Sequence, residues 1–378
     1  MKKILFFSGS RADFGLLYPV IKEIQRQKKI KSYLLLGGHH FNKSYGNSYN
    51  YVKNFKLKNT IKSKIILKKT SSSQIVDFIS KFLFETKNLL LKIKPNLVVI
   101  LGDRYEITSV AIASFFLNIP IVHLHGGEVT QGANDDTTRH VVSKYSSYHF
   151  VSHKDYKKRL IQLGEQPKTI FNYGSIGAQI SKEIKLINFK LLEKKYDILK
   201  KKYFIITLHP ETNFKKKSKI YLNNLLSVLK KQKNYKLIFT CNNNDELGDY
   251  FLNKINNFCN KNINAKLIHN LGTIEYFSLA KEAKAVIGNS SSGIIEIPSL
   301  KVPTLNIGGR QKGRIMGPSV INSDGSKKNL KNMINLLKVN KKIFYKNIYY
   351  KKNSIKKIKN KIIQFITSQT KNKTFYDL

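Results

Sequence analysis

Apolar residues in this chain come in short runs, and the segments between the runs carry apolar positions at helical spacing. KILFFS (Lys3–Ser8) is the first run, and it ends in a polar loop, GSRADFG. LLYPVIKEIQ follows with the periodicity of an amphipathic helix. SYLLL (Ser32–Leu36) predicts a second strand and leads into GGHH. A helical stretch over 73–93 precedes NLVVIL (Asn96–Leu101), then GDRYE and the apolar helix ITSVAIASFFL. IPIVHLH (Ile119–His125), YHFVS (Tyr148–Ser152) and TIFNYG (Thr169–Gly174) complete the first half. Short apolar strands alternating with helices predict a parallel sheet covered on both faces.

The rhythm restarts after a polar stretch at 175–190. YFIITLH (Tyr203–His209), KLIFT (Lys236–Thr240), AKLIHN (Ala265–Asn270), AVIGN (Ala285–Asn289) and TLNIG (Thr304–Gly308) are strand candidates, with helical patterns between them. The reading is two α/β domains, 1–178 and 179–366, the second ending in a helix over KNSIKKIKNKIIQFI (Lys352–Ile366). Residues 367–378 are expected to fray. A length of 378 residues suits two cores rather than one.

Composition narrows the class. Hydrophobic residues make up 41% of the chain, enough to fill both cores. No apolar stretch approaches the roughly 18 to 20 residues of a membrane helix. The start, MKKILFFSGSRAD, imitates a signal peptide, but its apolar run is shorter than the about 7 to 15 residues required. Two cysteines, Cys241 and Cys259, have no disulfide or metal-knuckle spacing, and a reducing cytoplasm is expected.

The formal charge of +45 invites a nucleic-acid reading. Against it, only seven of the 68 basic residues are arginine, and the lysines are spread over most of the chain. That is compositional drift rather than a built basic patch. The positive field still favours an anionic small substrate. Lysine cannot imitate the planar fork of guanidinium, so the retained arginines mark places where the fork is needed. Five of the seven fall in motifs.

In open parallel sheets, ligands bind outside the carboxyl ends of the strands. The residues following each predicted strand are Arg11 and Asp13; His39 and His40; Asp103 and Arg104; His125 and Glu128; His209 and Glu211; Asn289 to Ser292; and Arg310. For two facing domains that edge becomes an interdomain cleft. HLHGGEVTQGANDDTTRH (His123–His140) gathers three histidines and three acids, Glu128, Asp135 and Asp136, in one stretch of an acid-poor chain. Such a cluster suits proton handling. A divalent-metal site from His123, His125 and Glu128 or Asp135 is the alternative, since strand alternation aims both histidines to one face. GNSSSGIIEIPS (Gly288–Ser299) places a glycine and serines between a strand and a helix start, which suits a diphosphate, with Glu296 in reach of a ribose diol. Simple N-capping is the structural alternative. There is no GxGxxG after the first strand and no P-loop, which argues against NAD and ATP.

SRADFGLLYPV, GDRYE, HGGEVTQGANDDTTRH, TLHPETN, GNSSSGIIEIPS and NIGGRQKGR together resemble the UDP-N-acetylglucosamine 2-epimerases, most closely their hydrolysing branch in sialic and legionaminic acid synthesis. The similarity runs from about Lys3 to about Ser319. It implies two Rossmann-like domains of the GT-B type, and elimination of UDP from a 2-acetamido sugar followed by hydration of the glycal. By resemblance, Asp103, Asp135, Asp136 and Arg139 take catalytic positions, His209 lies near the diphosphate and His40 near the sugar. Arg11, Arg104, Ser290, Ser291, Gly293, Glu296 and Arg310 take nucleotide-contacting positions. One departure stands out: His125 occupies the place of a catalytic glutamate in some relatives, so that role falls to His125, to Glu128 or to neither. The chemistry calls for no cofactor and no metal. The expected partner is a nucleotide sugar, with no specific nucleic acid and no membrane, and the resemblance suggests a homodimer or homotetramer. A GT-B glycosyltransferase and a non-hydrolysing epimerase are the competing enzymes. The sugar stays open between the UDP-linked N-acetylglucosamine and diacetylbacillosamine and a GDP-linked sugar.

Overall fold

The computed structural model describes residues 1–41, 48–66, 71–132, 135–211, 213–241, 247–269, 271–339, 343–367 and 373–378. Two parallel sheets organise it. The first comprises β1 (Lys2–Ser8), β2 (Ile30–Leu36), β3 (Thr60–Lys62), β4 (Leu97–Leu101), β5 (Ile121–Leu124), β6 (Tyr148–Val151) and β7 (Ile170–Asn172), in the order β3-β2-β1-β4-β5-β6-β7. The second comprises β8 (Tyr203–Thr207), β9 (Lys236–Thr240), β10 (Ala265–Ile268), β11 (Ala285–Gly288), β12 (Thr304–Ile307) and β13 (Val320–Ser323), in the order β10-β9-β8-β11-β12-β13. Both repeat the doubly wound order in which the chain reverses direction beside its first strand. Each therefore has a switch point, at the carboxyl ends of β1 and β4 and of β8 and β11, where the diverging loops open a crevice.

The strands form where the sequence buries them on both faces. β4 and β8 are buried at every position, and helices cover both sides of such strands. Phe204, Leu225, Phe239, Ile287 and Leu330 belong to one core of the second unit, and Phe7, Phe82, Val98 and Val110 to a core of the first. β3 and β13 were not expected. TIK presents exposed ends and VINS is only partly buried, so neither carries an apolar run.

The chain divides into two compact units. One contains Met1–Glu128, Asp135–Ile176 and Lys351–Leu378, and the other Val129–Asn134 and Gly177–Tyr350. This corrects two expectations. The terminal helix, Ser354–Thr367, belongs to the first unit, not the second. It packs beside the helix Arg11–Gln25, and Phe365 stacks on Tyr148 with ring centroids 3.6 Å apart. An amphipathic pattern shows that a face is buried, not where it docks. The last residues, 373–378, are not frayed. Buried Glu165 draws in the Lys373 ammonium at 2.6 Å, Lys373 also donates to the Ser143 and Ser146 carbonyls, and the Tyr376 N–H donates to the Gly164 carbonyl. No helix among the described residues is long and apolar enough to cross a membrane.

Candidate active site

The first unit carries its polar groups at the strand ends. Ser8 closes β1, and Ser10 caps the helix Arg11–Gln25 by accepting from the Asp13 N–H. Asp13 keeps its Oδ2 buried without a hydrogen-bond partner. Burial pushes its carboxyl up to about 7, opposed by Arg104 and reinforced by Glu106. Arg104 donates through Nε to Glu106 at 3.0 Å and also meets the His39 ring, which Tyr105 approaches at 3.0 Å. Burial first, then Arg104, holds His39 well below the usual imidazole range, so its ring is a neutral acceptor.

His40, expected near the sugar, has no ring nitrogen to offer. Nε2 is 2.8 Å from Ser8 Oγ and Nδ1 is 2.9 Å from Ser48 Oγ. Burial lowers the ring to about 3, and it acts as a neutral brace between the end of β1 and the helix Ser48–Lys53. His123 is similarly engaged, with Nε2 2.7 Å from the Gly102 carbonyl and Nδ1 3.0 Å from Ser143 Oγ.

His125 departs from the expected strand. β5 ends at Leu124, and His125 takes φ +66°, an unusual left-handed conformation for a residue with a side chain. Strand alternation no longer applies at His125, so the spacing argument that aimed His123 and His125 to one face loses its basis. The turn places His125 Nδ1 3.1 Å from Glu128 Oε1, and the same oxygen accepts from Ser152 Oγ at 2.9 Å. Glu128 is almost wholly buried. Its carboxylate accepts from Nδ1–H, which leaves Nε2 as the basic nitrogen.

Arg139 organises the acids. It is buried, yet it donates to the Asp103 carboxylate, to Asp136 Oδ1 at 3.1 Å and to the Glu128 carbonyl at 2.8 Å. Asp103 follows β4, and Asp135 and Asp136 open the helix Asp135–Tyr145. One guanidinium thus ties the loop after β4 and the loop after β5 to the helix Asp135–Tyr145. Between Glu128 and Asp135 the chain passes through the second unit, where Gly132 lies so close to the Arg310 backbone that a Cβ would come within 2.5 Å of its Cα.

In the second unit the switch point joins His209 to Asn289. The Asn289 side chain accepts from the His209 N–H at 2.7 Å and donates to its carbonyl at 2.9 Å. Burial, then Arg310, holds the His209 ring well below the usual range. Gln311 Nε2 donates to the Asn289 carbonyl at 2.8 Å. Ser290 and Ser291 are half-exposed beside a helix of four residues, Ser292–Ile295, which Glu296 terminates. Gly293 has a packing reason: a Cβ there would come within 2.6 Å of Thr304 Cγ2. Gly288, at φ +141°, has no room for a Cβ beside the Thr207 carbonyl.

Glu106 and Ser152 stand out in the structure but were not singled out in the sequence reading. The rule that sites follow strand ends points to both, since each lies within a few residues of a strand's end. Among the described residues, no group of three His, Cys, Asp or Glu side chains is placed to hold a metal ion.

A family model described as UDP-N-acetylglucosamine 2-epimerase matches residues 22–363. Over 326 residues the chain is 43% identical to a GDP/UDP-N,N'-diacetylbacillosamine 2-epimerase (hydrolyzing) of Campylobacter jejuni, covering 85% of this chain and 84% of that protein. It is 38% identical over 386 residues to the polysialic acid biosynthesis protein P7 of Escherichia coli, covering 100% of this chain and 98% of that one. In fold it resembles the crystal structure of UDP-GlcNAc 2-epimerase from Neisseria meningitidis bound to UDP-GlcNAc, with a TM-score of 0.82 at 19% identity over 96% of this chain and 100% of that one.

Proposed function

The chain belongs to the UDP-N-acetylglucosamine 2-epimerase family, and on that premise we propose that it is a hydrolysing 2-epimerase of a UDP-linked 2-acetamido sugar. A base takes the proton at C2, the C1–O bond breaks and its electron pair leaves with UDP. Water then adds to the glycal, placing hydroxyl at C1 and a proton at C2 on the opposite face. The products are UDP and a free manno-configured amino sugar, and we assign this product to nonulosonic acid synthesis. The relative P7, named for polysialic acid biosynthesis, supports that assignment.

The observation that carries the reading is the His125–Glu128 pair. Where some relatives have a carboxylate base, this chain has an imidazole held at 3.1 Å by a buried glutamate. The carboxylate sets the tautomer, so Nε2 takes the C2 proton and Glu128 stabilises the imidazolium that forms. Asp103, Asp135 and Asp136 return and relay protons at the same edge, and Arg139 orients Asp103 and Asp136. In the second unit His209, Ser290, Ser291, Glu296 and Arg310 are the residues we assign to the UDP, where they stabilise the leaving diphosphate, and in the first unit Arg11 and Arg104 keep the nucleotide-contacting positions that the resemblance implies. His40 braces the sugar-side loop rather than touching the reacting atoms.

Proton NMR in deuterated water tests this, with UDP-N-acetylglucosamine and the UDP-linked diacetylbacillosamine supplied separately. The expected result is a free manno-sugar with deuterium at C2, appearing in step with UDP. Epimerised sugar still attached to UDP would replace the hydrolysing reading with a non-hydrolysing one. Intact nucleotide in both tubes would rule out both substrates.

A further inference from the structure

We propose that Glu211 is the positioning residue of Arg310, an inference that rests on the reading above in which Arg310 meets the diphosphate. Glu211 lies four residues beyond β8 and is almost wholly buried. Its Oε1 accepts from two successive backbone N–H groups, Gly309 at 2.8 Å and Arg310 at 3.1 Å. Two successive N–H groups converging on one oxygen make a small anion-binding nest. Here the chain's own carboxylate fills it, so the nest is not available to a phosphate, and the loop is held to the end of β8.

The fit is close on both sides. Gly308 takes φ +75°, and a Cβ there would lie 2.4 Å from Glu211 Oε1. The Gly308 N–H is tied to the Ser323 carbonyl at 2.9 Å, so the loop cannot slide along β13. Glu211 itself is fixed by its own N–H, which donates to Ser218 Oγ at 2.9 Å, and by its carbonyl, which accepts from the Phe214 N–H. Arg310 leaves this clamp with its backbone set, and its Nη1 lies 3.5 Å from the Asn289 carbonyl beside His209. The side chain that matters for the nucleotide is thus aimed by a residue about a hundred positions earlier, which need never touch substrate.

A carboxylate at this place has a cost that a purely structural brace would avoid. Burial pushes the Glu211 carboxyl up, and the two N–H groups and Arg310 work against that shift. A neutral acceptor would fasten the loop as well. Glutamine therefore separates the loop-fastening role from everything else the charge does.

The test is isothermal titration calorimetry of the full chain with UDP and with uridine, for wild type, Glu211→Ala, Glu211→Gln, Arg310→Ala and the double variant Glu211→Ala/Arg310→Ala. The expected result is that Glu211→Ala weakens UDP about tenfold, the size of one charge-assisted contact, and leaves uridine unchanged. Glu211→Gln, whose amide oxygen still accepts both N–H groups, binds UDP as wild type does. In the double variant the two losses do not add, because both act through one guanidinium. Equal loss of UDP and uridine binding in Glu211→Ala, additive losses in the double variant, or wild-type UDP affinity in Glu211→Ala would each overturn the inference. If Arg310→Ala itself leaves UDP affinity unchanged, the diphosphate role assigned to Arg310 fails, and this separates that failure from a failure of Glu211 alone.

Discussion

Replacing Lys373 with methionine removes a charge from the docked tail while keeping the length of the side chain. Lys373 serves three acceptors: Glu165 Oε2 at 2.6 Å, the Ser146 carbonyl at 2.7 Å and the Ser143 carbonyl at 3.2 Å. Glu165 is 2% exposed and also meets His149 Nε2 at 3.0 Å and Lys144 Nζ at 3.0 Å. Burial tends to raise the Glu165 carboxyl, but pairing with His149 and Lys373 overrides it and leaves it at about 2. Taking one partner from a buried pair costs roughly 3–5 kcal/mol. Lys373 is a quarter exposed and Lys144 remains, so about 2 kcal/mol is the reasoned loss. For a unit of about 200 residues that lowers Tm by roughly 4–8 °C. The chain has no tryptophan, so far-ultraviolet circular dichroism is the assay. The pH dependence has a definite sign. A carboxyl depressed in the folded state stabilises above its unfolded value of 4.5, and that contribution disappears as pH falls towards about 2. The variant should therefore lose less stability than wild type on acidification through that window. An unchanged Tm at neutral pH, or an identical acid profile, would refute the reasoning, and Glu165 would then be served by Lys144 and His149 alone.

Arg139→Lys should lower kcat about 100-fold or more, because a single ammonium cannot replace Nη1, which serves Asp136 and the Glu128 carbonyl, and Nη2, which serves Asp103; steady-state release of UDP measures this, and a loss of only a few-fold would count against it. Ser152→Ala frees one side of Glu128 Oε1, so kcat should fall about tenfold with UDP affinity unchanged; weakened UDP binding instead would mean that Ser152 supports the nucleotide. Asp13 is raised from 3.8 to about 7, so the folded chain holds a proton that the unfolded chain releases across that window, and stability falls as pH rises through it. Asp13→Asn should flatten that slope in urea titrations at several pH values, and an unaltered slope would show that the carboxyl titrates alike in both states.

Both sheets were legible because their central strands are apolar on both faces, and the alternation with helices left few topologies. Two of the four edge strands, β3 and β13, were not, because an edge strand shields one side only and needs no apolar run. The candidate site was legible as a set of positions at strand ends, but not as a set of contacts. His125 shows why. IPIVHLH continues the strand pattern to its last letter, yet the chain turns left-handed at that residue, and only this turn brings its ring to Glu128. No spacing reports a φ angle. His40 illustrates the converse, since a histidine in a motif reads as chemistry until two serines are found on its nitrogens. Glu211 was visible as a polar residue after a strand, but its partners lie at 309 and 310, and their pairing is set by the sheet order rather than by local sequence.

The scarcity of arginine in so basic a chain now has a geometric account. Arg139 spans three acceptors on separate segments, and Arg104 spans a carboxylate and a ring. Arg159 reaches the Gly127 carbonyl in the His125 turn, and Arg314 holds Gln311. Arg139 uses Nη1 for Asp136 and the Glu128 carbonyl and Nη2 for Asp103, and Arg104 uses Nε and Nη2, a division among separate nitrogens that a planar fork allows and a point charge does not. Lys373 meets the opposite case, in which three acceptors crowd around one place and three tetrahedral N–H groups suffice. Arg26 is the exception that fixes the rule's limits: it sits on the surface, pairs with Glu23 three residues earlier on its own helix turn and is 62% exposed. Apart from that of Arg26, these guanidinium contacts lie at or beside the strand-end loops. Arg26→Lys should accordingly be silent in the same assay in which Arg139→Lys is not.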